Sequence, residues 1–223
     1  MTQTKQSNRY LPQLPKLPDA DSDFYTCASR CREDERDLEQ VRFSGEHMEE
    51  EDFGGLNFDT VLFENCTLIR CRFKGADFKN VLFKNCQLPG CSFAGSWLDR
   101  THFDNCQLVG TDFSQCKISH TSFTDCAMTM ANFTESKLEE CSIASCDLTE
   151  SFFANCKFKK LQMDKNQCIG TEFFKTKLKD VDFTTCILEG IRVSTENGEL
   201  KGAKVNLFQA AELARMLGIV IKE

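Results

Sequence analysis

The sequence predicts an all-β solenoid with four-sided coils, and three observations in its 223 residues predict it. Read at every fifth position from Phe43 to Val193, the chain shows 31 consecutive sites that are large and apolar except Cys168, and they hold sixteen of its 20 Phe. A period of five fits neither helix nor strand, and repetition at a fixed short spacing marks a solenoid. The residue two before each centre is mostly small, and eleven of the 14 Cys occupy that slot. Since the other three slots are polar, each unit sends two side chains inward and must then turn a corner. Sorted modulo twenty, the centres fall into columns of distinct character. Phe53, Phe73, Phe93, Phe113, Phe133 and Phe153 share one column, whereas Met48, Leu68, Leu88, Leu108, Met128 and Leu148 share another that has no Phe. Residues twenty apart are therefore neighbours, and four units close one coil. About eight coils at a strand spacing of ~4.8 Å give a rod of roughly 38 Å.

The elements follow in chain order. Residues 1–35 stand outside the phase and read as an arm and a capping helix. Met1 to Arg9 is polar and lacks the apolar stretch of a secretory signal. Leu11 to Pro18 carries three prolines and is predicted to lie extended along the rod. Asp21 to Gln40 reads as a helix opened by Asp21 or Ser22, with Cys27 and Cys31 as packing residues. The repeat occupies 36–195 and has two faults. Glu46 and Glu51 fall in inward slots, where an unpaired carboxylate is expensive, so a distorted or looped first coil is expected around Ser44 to Gly55. Asn166 with Cys168 replaces a small–large pair and predicts a bulge or an underpacked coil, although an Asn in a ladder can also bond stacked backbone. In 196–223, Asn206 is a plausible N-cap for a helix from Leu207 to Leu217, Gly218 ends it, and Ile219 to Ile221 is β-prone. This element either covers the open end of the rod or joins two copies. The residues available for a two-fold interface are Leu207, Phe208, Ala211, Leu217, Ile219, Val220 and Ile221.

Composition narrows the function. A net charge of −7 disfavours direct nucleic-acid binding through a broad basic surface. No apolar run reaches the ~18–20 residues of a membrane span. With no signal peptide, the cysteines are expected to be reduced thiols and the protein cytoplasmic. The column Cys66, Cys86, Cys106, Cys126, Cys146 and Cys186 is expected to stack at ~4.8 Å, beyond the ~3.5–4.5 Å Cβ separation of a disulfide. Its members point the same way, which is poor geometry for tetrahedral zinc. No metal and no cofactor are expected. His47, His102 and His120 all fall in outward slots, no phosphate loop or nucleophile elbow is present, and a filled β-helix has no interior pocket, so no catalysis is expected.

Acidic residues form bands. Glu49, Glu50, Asp52, Asp59 and Glu64 lie in a stretch without Lys or Arg. Asp99, Asp104, Asp112, Asp125, Glu135, Glu139, Glu140, Asp147 and Glu150 outnumber the cations of the middle coils. Lys157, Lys159, Lys160, Lys165, Lys175, Lys177 and Lys179 reverse the sign in the last coils. Duplex DNA carries one charge per ~1.7 Å, a far denser array, so any mimicry of it is partial.

Units such as Ala76-Asp77-Phe78-Lys79-Asn80 and Ala131-Asn132-Phe133-Thr134-Glu135 closely resemble those of the pentapeptide-repeat proteins. The resemblance covers about residues 36–195 and implies a right-handed quadrilateral β-helix; spacing alone does not give the hand. The ending is similar to that of the quinolone-resistance (Qnr-type) branch, through Gly202-Ala203-Lys204-Val205-Asn206, Gln209-Ala210 and Leu217-Gly218-Ile219-Val220-Ile221. Phe43-Ser44-Gly45-Glu46 is similar too, and the Pro-rich arm looks like that of chromosomal, Gram-positive-like members. This resemblance implies a homodimer joined end to end at its C-terminal element. It also implies partial duplex-DNA mimicry directed at the basic DNA-binding saddle of DNA gyrase or topoisomerase IV, modulating the enzyme or protecting it from quinolones. One feature departs from the plasmid-type proteins of that branch, which carry loops that interrupt the repeat. Here the phase is unbroken from Phe43 to Val193. The alternative reading is a generic pentapeptide-repeat scaffold without a topoisomerase role.

Overall fold

The computed structural model describes residues 14–194, 196, 198–216 and 218–222. Strands pair in parallel with partners twenty residues on. Phe43 lies opposite Phe63, Phe63 opposite Phe83 and Phe83 opposite Phe103, and the series continues through Phe123 and Ile143 to Met163. A second ladder runs from Leu38 through Phe58, Phe78, Leu98, Ile118 and Leu138 to Phe158. The strand Asn57–Glu64 rounds a corner and joins these two walls into one twelve-stranded sheet. The other two walls are held by shorter bridges, and they carry the stack one rung further, to Gln167↔Ile187 and Glu172↔Arg192. The chain is a parallel four-walled solenoid; the walls are named below by their first complete rung, Phe43, Met48, Phe53 and Phe58.

Every fifth residue from Gln40 to Asp180 has a positive φ, and these residues are the corners. The left-handed region strains a side chain with a Cβ by ~1–2 kcal/mol, and Gly or Asn relieves the strain. Gly45, Gly55, Asn65, Gly75, Asn80 and Asn85 are among the residues that fill this slot in the first coils, whereas Glu50, Thr60, Arg70, Arg100, Met130 and Glu140 accept the strain.

Inside, the phenylalanines form two long stacks, with a short third where Phe58 lies on Phe78 at 4.7 Å. Phe83, Phe103 and Phe123 have centroids 4.9 Å apart with planes within 4° of parallel. Phe93, Phe113 and Phe133 form the neighbouring stack and meet the first edge to face, as where Phe103 contacts Phe113 at 5.7 Å and 81°. Both offset stacking and edge-to-face contact suit the ring quadrupole. Small inward residues fill the corners and satisfy backbone. The Cys91 thiol donates to the Leu68 carbonyl at 3.0 Å, and the Ser96 and Ser136 hydroxyls donate in the same way to Phe73 and Phe113.

The first coil is not looped, and no bulge forms at Asn166. The first coil keeps its register, with His47 opposite Thr67 and positive φ at Gly45, Glu50 and Gly55. Glu46 and Glu51 are only half-buried, because this coil lies at the end of the stack and their carboxylates reach water. Asn166 likewise makes no bulge. Its amide donates to the Ile143 carbonyl at 2.8 Å and accepts from the Cys146 N–H at 2.9 Å, so it bonds both backbone groups of the rung before it.

The N-terminal helix, α1, spans Phe24–Glu33, shorter than the predicted Asp21 to Gln40. Asp23 caps it by accepting from the Thr26 N–H, and Leu38 to Ser44 pairs as strand because Leu38 and Phe43 fill inward slots. Phe24 plugs the open first coil, 4.3 Å from Phe53 and 5.0 Å from Phe63. Leu11 to Gln13 lie outside the described residues. Beyond them, the Pro18 carbonyl accepts from the Arg42 N–H and the Ala20 N–H donates to the Arg42 carbonyl, so the arm covers an edge of the first coil.

At the other end, Leu178 and Phe183 donate to the carbonyls of Glu199 and Lys204. The second helix, α2, spans Leu207–Met216, close to the predicted range. The Asn206 side chain accepts from the Gln209 N–H, and the Gln209 side chain accepts from the Asn206 N–H, a reciprocal cap. Gln209 also donates to the Phe183 and Cys186 carbonyls, which ties α2 to the last corner. Gly218, at φ 78°, ends the helix with a bond to Arg215.

Candidate interaction surface

The interior is filled, so function falls to the outward slots. Each wall carries one outward residue before its centre and one after, and the corner follows. As far as the rungs pair, to Phe158 on the Phe58 wall, Met163 on the Phe43 wall and one rung further on the other two, outward residues twenty apart sit on adjacent rungs.

That arithmetic sorts the predicted acidic residues. They occupy all four walls, and many meet a cation one rung away. Arg70 pairs with Glu49 and Glu50, Arg72 with Asp52, and Lys79 with Asp59. Glu64 accepts from both Lys84 and Arg42, and these bonds, that of Lys84 the larger, hold its carboxyl below the usual range against the opposing effect of burial. Lys159 meets Glu139, Lys160 meets Glu140, and Asp99 meets Arg100 and His120. Exposed pairs of this kind contribute ~0–1 kcal/mol each, but they remove net charge locally.

The remaining predicted acids have no ion-pair partner among the described residues. Asp112, Glu135 and Glu150 lie on or beside the Phe53 wall. Asp104, Asp125 and Asp147 gather around the corner between the Phe43 and Met48 walls, on successive coils. Burial raises the Asp147 pKa, but bonds from Thr149 and Thr129 outweigh it and hold the carboxyl below its usual value. Among the predicted acids, these three are the unpaired ones that share a corner on successive coils.

The C-terminal residues named from sequence lie together at one end. Leu207 is 82% exposed and Phe208 and Val220 are each 83% exposed. Ile219 and Ile221 are exposed, Ala211 is half-buried, and Leu217 lies outside the described residues. Met216 is also exposed here and was not singled out from the sequence, although it ends the same apolar helix.

The histidines do not all face water. His102 is buried, with Nδ1 against the Ser122 hydroxyl and the Ser122 carbonyl at 3.1 Å. Its slot points outward, but neighbouring side chains on the Phe43 wall cover it. Burial pushes its pKa down. The 14 cysteines are free thiols, and burial pushes Cys116, Cys141 and Cys156 up to about 12. Among the described residues, no group of three or more His, Cys, Asp or Glu is arranged to hold a metal ion, and no helix is long and apolar enough to cross a membrane.

Comparison with known proteins bears on the repeat. A family profile described as "Pentapeptide repeat region" matches residues 96–166 and 121–193, and one described as "Pentapeptide repeats (8 copies)" matches 52–85. No curated protein matches the chain. Among solved structures, full-length QnrB1, a plasmid-mediated fluoroquinolone resistance protein, is 20% identical, covering 80% of this chain and 100% of its own at a TM-score of 0.47. HetL, involved in heterocyst differentiation regulation in the cyanobacterium Nostoc sp. strain PCC 7120, is 12% identical over 78% of this chain and 94% of its own, at a TM-score of 0.24. A pentapeptide repeat protein from the Arabidopsis thaliana thylakoid lumen is 22% identical over 60% of this chain and 67% of its own, at a TM-score of 0.28. The two family profiles together span more than half of the chain, in the phase that sets its corners and core, and the chain belongs to the pentapeptide-repeat proteins.

Proposed function

We propose that the chain is a non-catalytic binding scaffold whose partner is a type II topoisomerase, DNA gyrase or topoisomerase IV, engaged by partial mimicry of duplex DNA. The observation that carries this reading is the corner of Asp104, Asp125 and Asp147, a run of unneutralised carboxylates along a rigid rod. A basic DNA-binding saddle is its electrostatic complement. QnrB1 is a plasmid-mediated fluoroquinolone resistance protein, and protection of the topoisomerase from quinolones is the corresponding trait proposed for this chain.

The scaffold acts as a homodimer through α2 and the tail. Leu207, Phe208, Met216, Ile219 and Val220 form an exposed apolar end, a kind of surface that monomers rarely leave open. Ala211 and Leu217 complete the proposed contact. End-to-end joining doubles the length of rod offered to the saddle.

The test is a supercoiling assay with purified gyrase, with and without a fluoroquinolone. Inhibition of supercoiling, or relief of the drug's effect, at micromolar protein is expected. Absence of binding, inhibition and protection leaves the scaffold without a topoisomerase role.

A further inference from the structure

The Phe58 wall carries a charge pattern separate from the acidic corner of Asp104, Asp125 and Asp147. The column one residue before each centre presents Asp37, Asn57, Asp77 and Trp97 in its first half. In its second half it presents Lys117, Lys137 and Lys157 on paired rungs, and Lys177 holds the same slot one coil beyond the last paired rung. The paired rungs of this column are ~4.8 Å apart, so its lysines are adjacent like charges and repel. Among the described residues, neither Asp77 nor Lys137, Lys157 or Lys177 has an ion-pair partner, and all four are exposed. Trp97, the only Trp of the chain, stands 52% exposed at the middle of the wall, with the Lys117 ammonium 5.8 Å from its ring centroid.

We propose that this wall is a self-complementary interface for a second copy of the same chain, laid face to face and antiparallel. The two-fold axis crosses the rods between the Leu98 and Ile118 rungs. Such an axis preserves each column and reverses its order. Asp37 then faces Lys177 of the partner subunit, Asp77 faces Lys137 of the partner subunit, and Trp97 faces Lys117 of the partner subunit. The column after the centres obeys the same axis without adjustment. Glu39 meets Lys179 of the partner subunit, Asp59 meets Lys159 of the partner subunit, and Lys79 meets Glu139 of the partner subunit. Within one chain Lys79 already pairs with Asp59, and Lys159 with Glu139, so the facing copies form alternating squares of charge.

The register is specified by repulsion. A slip of one rung in one direction sets Lys117 against Lys117 and Lys79 against Lys159. A slip the other way sets Asp99 against Asp99 and Asp59 against Glu139. An isologous contact needs a patch that is its own complement, and only the centred register provides it. Two outward columns are about 10 Å across, which makes the interface small. Its central anchor is the Trp97 pair, each ring between two Lys117 ammoniums. The association is therefore weak and salt-sensitive.

The experiment is sedimentation velocity over a concentration series in a Phe208→Asp background, which removes the C-terminal contact and keeps the two interfaces distinguishable. At about 50 mM salt the mass is expected to rise from monomer toward dimer, and at about 500 mM salt the association is expected to weaken at least tenfold. Asp77→Lys or Lys137→Glu alone is expected to weaken it tenfold or more. The double swap Asp77→Lys with Lys137→Glu restores it, because each exchanged residue again meets its opposite across the two-fold axis. A monomer at low salt throughout, or a double swap no tighter than the single variants, overturns the proposal. The restored double variant also excludes misfolding as the cause of the single effects.

Discussion

Phe103 stacks on Phe123 with ring centroids 4.9 Å apart and planes 2° from parallel, although twenty residues separate them in the chain. Both rings are wholly buried, and each also meets Phe113 edge to face. Phe103→Ala is therefore expected to destabilise the rod by ~3–5 kcal/mol through lost burial and the cavity left behind. Phe174→Ala, at an exposed site outside the stacks, is expected to change stability by less than ~1 kcal/mol. Denaturant unfolding of the two variants checks the contrast.

Asn166 supplies the second prediction. Asn166→Ala removes the partners of the Cys146 N–H and the Ile143 carbonyl inside a closed core, and is expected to destabilise by ~1–3 kcal/mol or more. Asn166→Thr, which follows the Ser and Thr of the same slot elsewhere, is expected to recover part of the loss. Thermal unfolding reads both; equal stability of the Ala variant and the parent would show that these bonds are not needed.

The corners supply a third. Gly95 has φ 70° and open space where a Cβ would stand, so Gly95→Ala isolates backbone strain. A loss of ~1–2 kcal/mol is expected. Met130, exposed at φ 58°, is the converse case, and Met130→Gly is expected to gain up to ~1 kcal/mol.

Much of this was legible in the sequence. The column arithmetic located the coil, the walls and the inward slots, because each inward position is fixed by burial and tolerates little else. That each unit turns a corner was legible, but not which slot makes the turn, although its signal is present: Gly75, Asn80, Asn85, Gly90 and Gly95 share one slot, and only conformation, not burial, selects them. Glu46 and Glu51 distort nothing, and at Asn166 the ladder bonding forms in place of a bulge, because polarity alone does not decide what a slot tolerates. At an open end a carboxylate reaches water, and in a ladder an amide bonds both neighbouring backbone groups. The acidic bands were legible only as composition. Which acids stay unneutralised depends on the residue twenty places on, as Asp59 with Lys79 shows.

His102 gives a pH dependence. Burial lowers its pKa in the folded chain below the ordinary 6.5, so the unfolded chain binds the proton more readily. Stability is therefore complete above about pH 6.5 and falls as the pH drops from there toward the lowered folded value, by at most about 1.4 kcal/mol per pH unit. His102→Gln is expected to flatten this window. The lowered carboxyls of Asp59, Glu64 and Asp147 act at more acidic pH, where stability is lost as they protonate. Unfolding free energies measured between about pH 5 and 7.5 for the two chains separate the effects.

The most direct test of the proposed role is the affinity of the purified protein for gyrase, compared with a variant carrying Asp104→Asn, Asp125→Asn and Asp147→Asn. The substitutions are nearly isosteric and leave the walls in register. Micromolar or tighter binding by the parent and at least a tenfold loss in the triple variant are expected. Equal affinity of the two proteins, or no binding by either, contradicts the assignment of this corner to a DNA-binding saddle.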